Sequence, residues 1–343
     1  MTSQLSADLV LEGGGVKGIA LVGAISELGE RGYRFHKVAG TSAGSIVGAL
    51  VAAGTRPDRL REMLHTVDYA KFQDPPMLGR LGPLGVAAQV LLCKGWCRGD
   101  YLRSWLDEML SEQGVRTFAD LALHDLGSDD AIRDIPGRNY RFVAMASDLT
   151  HRRLARLPWD YLDRFHIDPD DAPVADAVRA SMAIPYFYVP ARLRDQLSGD
   201  TAWMVDGGML SNFPVDVFDR TDGIEPRWPT IGIKLSTRST LMRVNEVRGV
   251  VTLSKAMLST MTGFYDQMHV DRADVAARTI FVDTFGVKAV DFNLSRETAD
   301  QLYESGRAAA RAFLDGAAGQ PRWDFEKYKR TWRRTPSTST AAA

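Results

Sequence analysis

The stretch LVLEGGGVKGIALVGAISELGERG, residues 9–32, decides the fold. Leu9–Leu11 is a short apolar run between two acidic residues, which is typical of a buried strand. Glycines follow at once. Ile19–Arg31 then carries apolar residues at a spacing of three and predicts a helix that ends at Gly32. A strand, a glycine turn and a helix in this order favour the first unit of a parallel sheet.

The same order repeats in residues 35–54, FHKVAGTSAGSIVGALVAAG. Phe35–Ala39 predicts a second strand, and the small apolar stretch Ser45–Ala53 predicts a helix packed tightly on the sheet. We therefore expect a parallel sheet with helices on its faces. Further strands are predicted at Tyr140–Ala146, Trp203–Val205 and Thr230–Leu235, and further helices at Val174–Ala183 and Arg296–Leu314.

The composition is that of a globular protein. The chain has 343 residues, 45% of them apolar and 25% charged, which excludes a largely disordered or fibrous protein. A net charge of −1 gives no whole-protein field for nucleic acid, and we expect no nucleic-acid partner. Cys93 and Cys97 are the only cysteines, too few for a disulfide scaffold or a zinc ligand set. Without a long apolar run or a signal pattern in Met1–Asp8, we expect a soluble, cytoplasmic protein.

The glycine cluster Gly13–Gly18 lies between the first predicted strand and helix. Its consecutive N–H groups and the helix N-terminus would stabilise an anion. The stretch formally matches G-x-G-x-x-G, but the second strand ends in Gly40 instead of the acid that a dinucleotide site needs. A P-loop would need Lys and Ser or Thr where Ile19 stands. We favour an oxyanion hole, while nucleotide binding and a tight turn that only packs strand on helix remain alternatives.

The second motif, Gly40-Thr41-Ser42-Ala43-Gly44, is G-x-S-x-G after an apolar strand and before a small-residue helix. This context places a serine hydroxyl on a sharp strand-to-helix turn, as a nucleophile needs. The alternative is that Ser42 caps the helix. Ser45 is the competing hydroxyl, which we interpret as a packing residue inside the helix.

The third motif, Asp206-Gly207-Gly208, follows a predicted strand, so its acid could meet a serine from a neighbouring strand. The alternative is an Asp that bonds the backbone of its own turn. Among the six histidines only His269 follows Asp206, as a Ser…Asp…His order would require. A Ser-His-Asp esterase of small esters therefore stays open as a second possibility.

Together these three motifs, in this order and spacing, resemble the patatin-like phospholipase family over about residues 9–220. Ser181–Pro185 and Ser211–Pro214 also resemble stretches on either side of that family's catalytic Asp. One departure is Lys17, where many relatives carry Arg. Beyond residue 220 there is little to match.

The resemblance implies a three-layer α/β/α fold with a mostly parallel central sheet. It also implies hydrolysis of lipid acyl esters, of phospholipase A or lysophospholipase type, by a Ser42–Asp206 dyad without a histidine, metal or cofactor. The acidic limb of the rate profile should then lie below that of a histidine enzyme. The predicted oxyanion-hole residues are Gly13, Gly14, Gly15, Lys17, Gly18 and Ala43, and the supporting glycines are Gly40, Gly44, Gly207 and Gly208. A non-catalytic lipid-binding or signalling module is a further alternative.

We expect a catalytic domain at residues 8–220, an α/β extension on the same domain at 221–320 and a flexible tail at 321–343. Pro321–Pro336 is basic and aromatic, and a solvated tail is favoured over a contact with an anionic interface. The partner is a lipid or phospholipid substrate, with peripheral membrane contact as an option; the oligomeric state stays open. Within Pro75–Leu92 a core helix is favoured, with a lid or membrane-contacting edge as the alternative. The residues that would then touch lipid are Val86, Val90, Leu91 and Leu92.

Overall fold

The computed structural model describes residues 5–76, 82–123, 138–220, 224–235, 256–257, 260, 272–289, 291, 294–319 and 321–333. The strands of this part of the chain are β1 Leu5–Leu11, β2 Tyr33–Thr41, β3 Gly95–Cys97, β4 Phe142–Asp148, β5 Arg153–Leu157, β6 Tyr186–Tyr188, β7 Ala191–Arg194, β8 Thr201–Asp206, β9 Thr230–Lys234 and β10 Thr279–Phe281. Its helices are α1 Gly18–Glu30, α2 Ala43–Ala52, α3 Pro57–Thr66, α4 Gly82–Cys93, α5 Asp100–Ser111, α6 Tyr161–Phe165, α7 Val174–Ser181, α8 Ala273–Ala277, α9 Arg296–Asp315 and α10 Phe325–Trp332. Every predicted strand and helix occurs, with bounds that differ by a few residues.

Eight strands form one sheet in the order β10-β9-β1-β2-β4-β8-β7, with β5 also paired to β4. The strands from β10 to β4 pair in parallel. At the other end β5 and β8 lie antiparallel to β4, and β7 lies antiparallel to β8. β3 and β6 form a separate two-stranded sheet. The predicted α/β/α fold with a mostly parallel sheet is confirmed, and the antiparallel end is an addition that the sequence did not indicate.

Both faces of the sheet are covered. Leu9 and Leu11 of β1 belong to the larger core, whereas Val10 belongs to a smaller core on the opposite face. Successive side chains of a strand point to opposite faces, so a strand that is buried on both sides reads as a continuous apolar run. Val275 of α8 and Phe213 pack in the smaller core.

Helix α9 packs closely on α1. A Cβ atom added at Gly23 would lie 1.9 Å from the carbonyl oxygen of Tyr303, and one at Gly306 would lie 2.0 Å from that of Ala20. The two backbones can therefore approach only because both positions are glycine. The division of the chain at residue 220 stays a prediction.

The expectation of a core helix at Val86–Leu92 is wrong for its leucines. Helix α4 forms there, but Leu84, Leu91 and Leu92 are 86%, 81% and 70% exposed. Gly85 and Gln89 face inward instead. The leucines of this apolar run therefore do not pack in the core.

The expectation of a solvated tail after Pro321 is wrong as far as residue 333. Asp324 caps α10 by accepting the Lys327 N–H at 2.8 Å. The Trp323 ring stacks on Phe313 with centroids 5.0 Å apart, and Tyr328 is buried. These aromatic side chains bury apolar area that a solvated tail would expose. Residues 334–343 lie outside the described part of the chain.

Candidate active site

Ser42 sits at the junction of β2 and α2, in a backbone conformation that few residues adopt. Its φ and ψ are 53° and −127°, a strained combination for a residue with a side chain. The flanking glycines are required by close contacts. A Cβ at Gly40 would lie 2.2 Å from the carbonyl oxygen of Gly44, and one at Gly44 would lie 2.5 Å from that of Leu11. The G-x-S-x-G pattern therefore has a steric origin here, and the strand-to-helix turn expected for this motif is present.

The Ser42 hydroxyl donates to Asp206, with Oγ 2.7 Å from Oδ2. Both side chains are buried. The second carboxylate oxygen of Asp206, Oδ1, accepts the Gly208 N–H at 2.8 Å, so the glycine turn fixes the orientation of the acid. Gly207 allows this turn to lie on β4, since a Cβ there would be 2.3 Å from the carbonyl oxygen of Met145. Asp206 therefore does bond the backbone of its own turn, through Oδ1, but its other oxygen, Oδ2, binds the Ser42 hydroxyl.

Burial raises the pKa of Asp206 from 3.8 to about 6, while the hydrogen bonds from Ser42 and Gly208 act in the opposite direction. A carboxyl with this pKa is ionised at neutral pH and is a better base than an ordinary aspartate. The value lies close to that of imidazole. The rate would therefore fall at a pH close to that of an enzyme with a histidine base, and not at the lower pH that the sequence suggested.

The stretch Ser181–Ala183 holds both members of the pair. The Ser42 N–H donates to Ser181 Oγ at 2.9 Å, and the Ser42 hydroxyl lies 3.4 Å from Met182 Sδ. The Asp206 N–H donates to the carbonyl oxygen of Ala183 at 2.9 Å. The sequence singled out this stretch only through the family resemblance and assigned it no site residue. Nothing in the sequence pointed to Met182.

The glycine loop lies directly against the serine. A Cβ at Gly13 would be 3.0 Å from Ser42 Cβ and 2.3 Å from Asn212 Oδ1. The Gly13 N–H donates to the Asn212 carbonyl oxygen at 3.3 Å, and the Gly18 N–H donates to that of Gly15. These two N–H groups are therefore engaged within the protein, and so is the Lys17 N–H, which donates to Gly14.

Three other predicted donors differ from these. Among the described residues, the N–H groups of Gly14, Gly15 and Ala43 donate no backbone hydrogen bond. Ala43 is the first residue of α2, so its N–H belongs to the positive end of that helix. The three groups are thus the members of the predicted set that could bind a developing negative charge.

A buried ion pair anchors the start of the loop. The Glu12 carboxylate accepts hydrogen bonds from Lys234 Nζ and from the Leu235 N–H at the end of β9. Asn212 Nδ2 reaches the same carboxylate at 3.4 Å and the Gly13 carbonyl oxygen at 3.2 Å. Glu12 and Lys234 were not predicted as site residues from the sequence. The position of Glu12, directly before the glycines, could have indicated its role. Lys234 could not be predicted, because it reaches Glu12 only through the pairing of β9 with β1.

The loop itself is held by a close approach at Gly15, whose φ is +58°. A Cβ there would lie 1.8 Å from the carbonyl oxygen of Ala289, which also accepts the Val16 N–H at 3.0 Å. Beside this loop lies a small apolar cavity of about 20 Å³. Its lining residues are Gly15, Gly18, Ala43, Ile46, Val47, Leu64, Tyr69, Phe72 and Trp105.

Each described histidine lies against a side chain other than Ser42, and His65 Nε2 lies 3.3 Å from Asp300 Oδ1. His36 stacks on Trp228, His151 Nδ1 lies 2.7 Å from Asp148, and His166 Nδ1 lies 3.0 Å from Asp195. His269, the base of the alternative triad, lies outside the described residues, and the triad stays a hypothesis.

Across the residues that the structure covers, no group of three His, Cys, Asp or Glu side chains could hold a metal ion. No helix in this part of the chain is long and apolar enough to span a membrane.

Comparison with known proteins gives consistent matches. The sequence profile of the patatin-like phospholipase family matches residues 9–219. The Bacillus subtilis (strain 168) protein YqhO is 36% identical over 309 residues, which are 90% of this chain and 97% of YqhO. Lysophospholipase NTE1 of Mycosarcoma maydis is 46% identical over 67 residues, 20% of this chain and 3% of that protein.

Among solved structures, VipD from Legionella pneumophila has a similar fold, with a TM-score of 0.54 at 17% sequence identity. The match covers 89% of this chain and 66% of VipD. The family profile covers more than half of the chain and includes the serine turn, the glycine loop and the Asp206 turn. The chain therefore belongs to the patatin-like phospholipase family.

Proposed function

We propose that this protein is a lipid acyl hydrolase of phospholipase A or lysophospholipase type, with Ser42 as nucleophile and Asp206 as general base. Membership in the family supports lipid ester hydrolysis. The observation that carries the finer assignment is the 2.7 Å hydrogen bond from the Ser42 hydroxyl to a buried carboxylate with a raised pKa.

In the first half-reaction, Asp206 Oδ2 takes the hydroxyl proton as Ser42 Oγ attacks the ester carbonyl carbon. The carbonyl oxygen becomes an oxyanion, which the N–H groups of Gly14, Gly15 and Ala43 stabilise. The tetrahedral intermediate then collapses to an acyl-enzyme, and the protonated Asp206 gives its proton to the departing alcohol.

In the second half-reaction, Asp206 takes a proton from water, which attacks the acyl-enzyme at the same carbonyl carbon. The same N–H groups stabilise the second oxyanion, and collapse releases the fatty acid and returns the proton to Ser42. The raised pKa of Asp206 makes both proton transfers less unfavourable than they would be with an exposed aspartate.

The alternative of nucleotide binding at Gly13–Gly18 has less support. An ionised Asp206 lies one hydrogen bond from Ser42, which itself contacts the loop. A carboxylate in this position repels a phosphate, but it can act as the base that deprotonates Ser42 for ester hydrolysis. Binding of radiolabelled NAD to the purified protein would test this alternative directly.

We also propose that α4 contacts the lipid surface. Its exposed leucines are Leu84, Leu91 and Leu92. Helix α4 leads into β3, which pairs with β6. Strand β6 begins four residues after Met182, whose Sδ lies 3.4 Å from the Ser42 hydroxyl. The adjacent Lys94 places its ammonium 4.6 Å from the centroid of the Trp203 ring, and a cation next to an aromatic ring suits a membrane interface.

The experiment that tests the hydrolase proposal is labelling with a fluorophosphonate probe, followed by identification of the modified residue. Labelling of Ser42 in the wild type, with none in Ser42→Ala, supports the proposal. Equal labelling of the two proteins would overturn it. Hydrolysis of lysophosphatidylcholine and of a diacyl phospholipid, measured as free fatty acid, then separates the two substrate types.

A further inference from the structure

Two of the proposed oxyanion donors, Gly15 and Ala43, line the small cavity beside the glycine loop. Trp105 lines the same cavity from α5. An ester carbonyl held by the N–H groups of Gly15 and Ala43 would direct one of its two substituents into this space. The lining is apolar, with Ile46 and Phe72 among its residues, so it suits an acyl chain and not a headgroup.

The cavity is much too small for a fatty acyl chain. Its volume of about 20 Å³ is close to what a single water molecule needs. Only the first carbons of an acyl chain fit beside Gly18 and Val47 as the side chains stand. A longer chain must displace part of the lining.

Trp105 also lines a second, larger cavity. Its volume is about 230 Å³, and it opens to solvent. Its lining residues are Arg59, Met63, Thr66, Val67, Asp68, Lys71, Tyr101, Trp105 and Met109. Trp105 is the residue that both linings share, and we interpret its indole ring as the wall between them.

Trp105 contacts a neighbouring aromatic ring. Phe72 packs against Trp105 with ring centroids 5.6 Å apart, and against Tyr101 at 5.7 Å. Trp105 itself is only half-buried, so it is not locked in the core. Removing the indole would join the inner cavity to the outer one and extend the available space past Met63 and Met109, the two methionines of a lining that is otherwise mostly polar.

Resting on the proposed function, we infer that Trp105 is the residue that determines acyl-chain length in this enzyme. With the indole in place, the two cavities stay separate and the inner one holds only the first carbons of an acyl chain. Without it, longer chains can pass into the outer cavity. Trp105 touches the acyl chain and neither the Ser42 hydroxyl nor the carbonyl oxygen, so its replacement should change chain preference more than the rate on a short ester.

The test is a series of 4-nitrophenyl esters from two to twelve carbons, assayed below their aggregation limits on wild type and Trp105→Ala. We expect the ratio of kcat/KM for the ten-carbon ester to that for the four-carbon ester to rise at least tenfold in Trp105→Ala. The matched control is Tyr101→Ala. It removes an aromatic ring one turn earlier on α5 that lines only the outer cavity, and it should leave the ratio within twofold of wild type.

Trp105→Leu provides a smaller change if the alanine variant loses stability, and thermal melts of all variants are compared. A ratio that stays at the wild-type value in folded Trp105→Ala or Trp105→Leu overturns the inference but leaves the proposed function standing. An equal rise in Tyr101→Ala also overturns it, because the effect would then come from the outer cavity alone. Absence of hydrolysis of every ester by the wild type, with no fluorophosphonate labelling, would instead overturn the proposed function and the inference with it.

Discussion

The hydroxyl of Ser42 lies 2.7 Å from the carboxylate of Asp206, although 164 residues separate them in the chain. They meet because β2 and β8 flank β4. Thr41 pairs with Met145, and Asp206 pairs with the next residue of β4, Ala146. β2 runs parallel to β4 and β8 runs antiparallel to it, so these two strands reach the same level of the sheet from opposite directions.

Replacement of Ser42 by Ala should abolish ester hydrolysis and leave the fold intact. Loss of a covalent nucleophile costs at least about a thousandfold in rate. The readouts are kcat/KM on a short ester and the thermal melt. Ser45→Ala is the matched control, because Ser45 is also buried in this turn but donates only to the Ser42 carbonyl oxygen. It should lose less than tenfold, and an inactive Ser45→Ala beside an active Ser42→Ala would reverse the assignment.

Asp206→Asn should be nearly inactive yet more stable than the wild type at pH 8. The pKa of Asp206 is raised in the folded protein, so the carboxyl loses its proton at a lower pH in the unfolded chain than in the folded one. The stability of the wild type therefore falls as the pH rises from about 4 to about 6. A rise from 3.8 to about 6 corresponds to about 3 kcal/mol at 1.36 kcal/mol per pKa unit, an upper limit for the gain in the variant.

The measurement is urea unfolding of both proteins at pH 8 and at pH 3. The gain should vanish at pH 3, where the carboxyl is protonated in both the folded and the unfolded state. The control is Asp200→Asn, which changes an exposed carboxyl in the turn between β7 and β8 and should not make the protein more stable at pH 8. A variant Asp206→Asn that is less stable at pH 8 would contradict a burial penalty at this site.

The rate should fall as the pH drops through about 6, because Asp206 is then protonated and cannot accept the Ser42 proton. An imidazole base would give a limb near the same pH, so the profile alone does not separate the two mechanisms. The separation comes from variants. Asp206→Asn should be nearly inactive, while His269→Ala should keep most of the activity. An active Asp206→Asn together with an inactive His269→Ala would establish the triad instead.

The sequence predicted the local features of this site well and the long-range ones poorly. The turn at Ser42 and the glycine loop follow from short stretches, whose conformation is limited by close backbone contacts such as that of Gly40 with Gly44. The partner of Glu12 could not be predicted, because Lys234 reaches it only through the parallel pairing of β9 with β1.

Helix α4 illustrates a different limit. An apolar run of this length usually lies in a core, and periodicity carries no information on what covers it. The exposure of Leu91 and Leu92 is a property of the tertiary arrangement. The aromatic residues near the C-terminus gave the opposite error, since their basic neighbours suggested solvent while Tyr328 packs inside.

Truncation after Gln320 should lower the melting temperature and leave binding to anionic liposomes unaltered. It removes the stacking of Trp323 on Phe313, the buried Tyr328 and the ion pair of Arg333 with Asp219. Loss of such buried aromatic area costs several kcal/mol. Truncation after residue 333 is the control and should change neither property. A salt-sensitive loss of liposome binding in the shorter protein would show that this segment contacts the lipid surface.

The exposed leucines of α4 should matter for membrane substrates and not for soluble ones. At 81% and 70% exposure, Leu91 and Leu92 contribute little to the core, so replacing both by Ser should leave the melting temperature and the rate on a soluble short-chain ester nearly unchanged. Each leucine transferred from water into lipid contributes about 1.5–3 kcal/mol at most. Loss of two should therefore lower the rate on phospholipid vesicles and the fraction of protein that sediments with them, both by about tenfold or more.

The matched control is Leu5→Ser, a partly exposed leucine at the start of β1. β1 and β2 are parallel, so this residue lies at the opposite end of the strands from the Ser42 turn. It should leave the ratio of vesicle to soluble activity unchanged. An equal loss on both substrates in the α4 variant, together with a lower melting temperature, would mean that the leucines stabilise the fold. Unchanged sedimentation with vesicles would mean that another surface contacts the lipid. Only a loss confined to vesicles supports α4 as the lipid contact, because the chemistry at Ser42 is then intact and what fails is access to the bilayer.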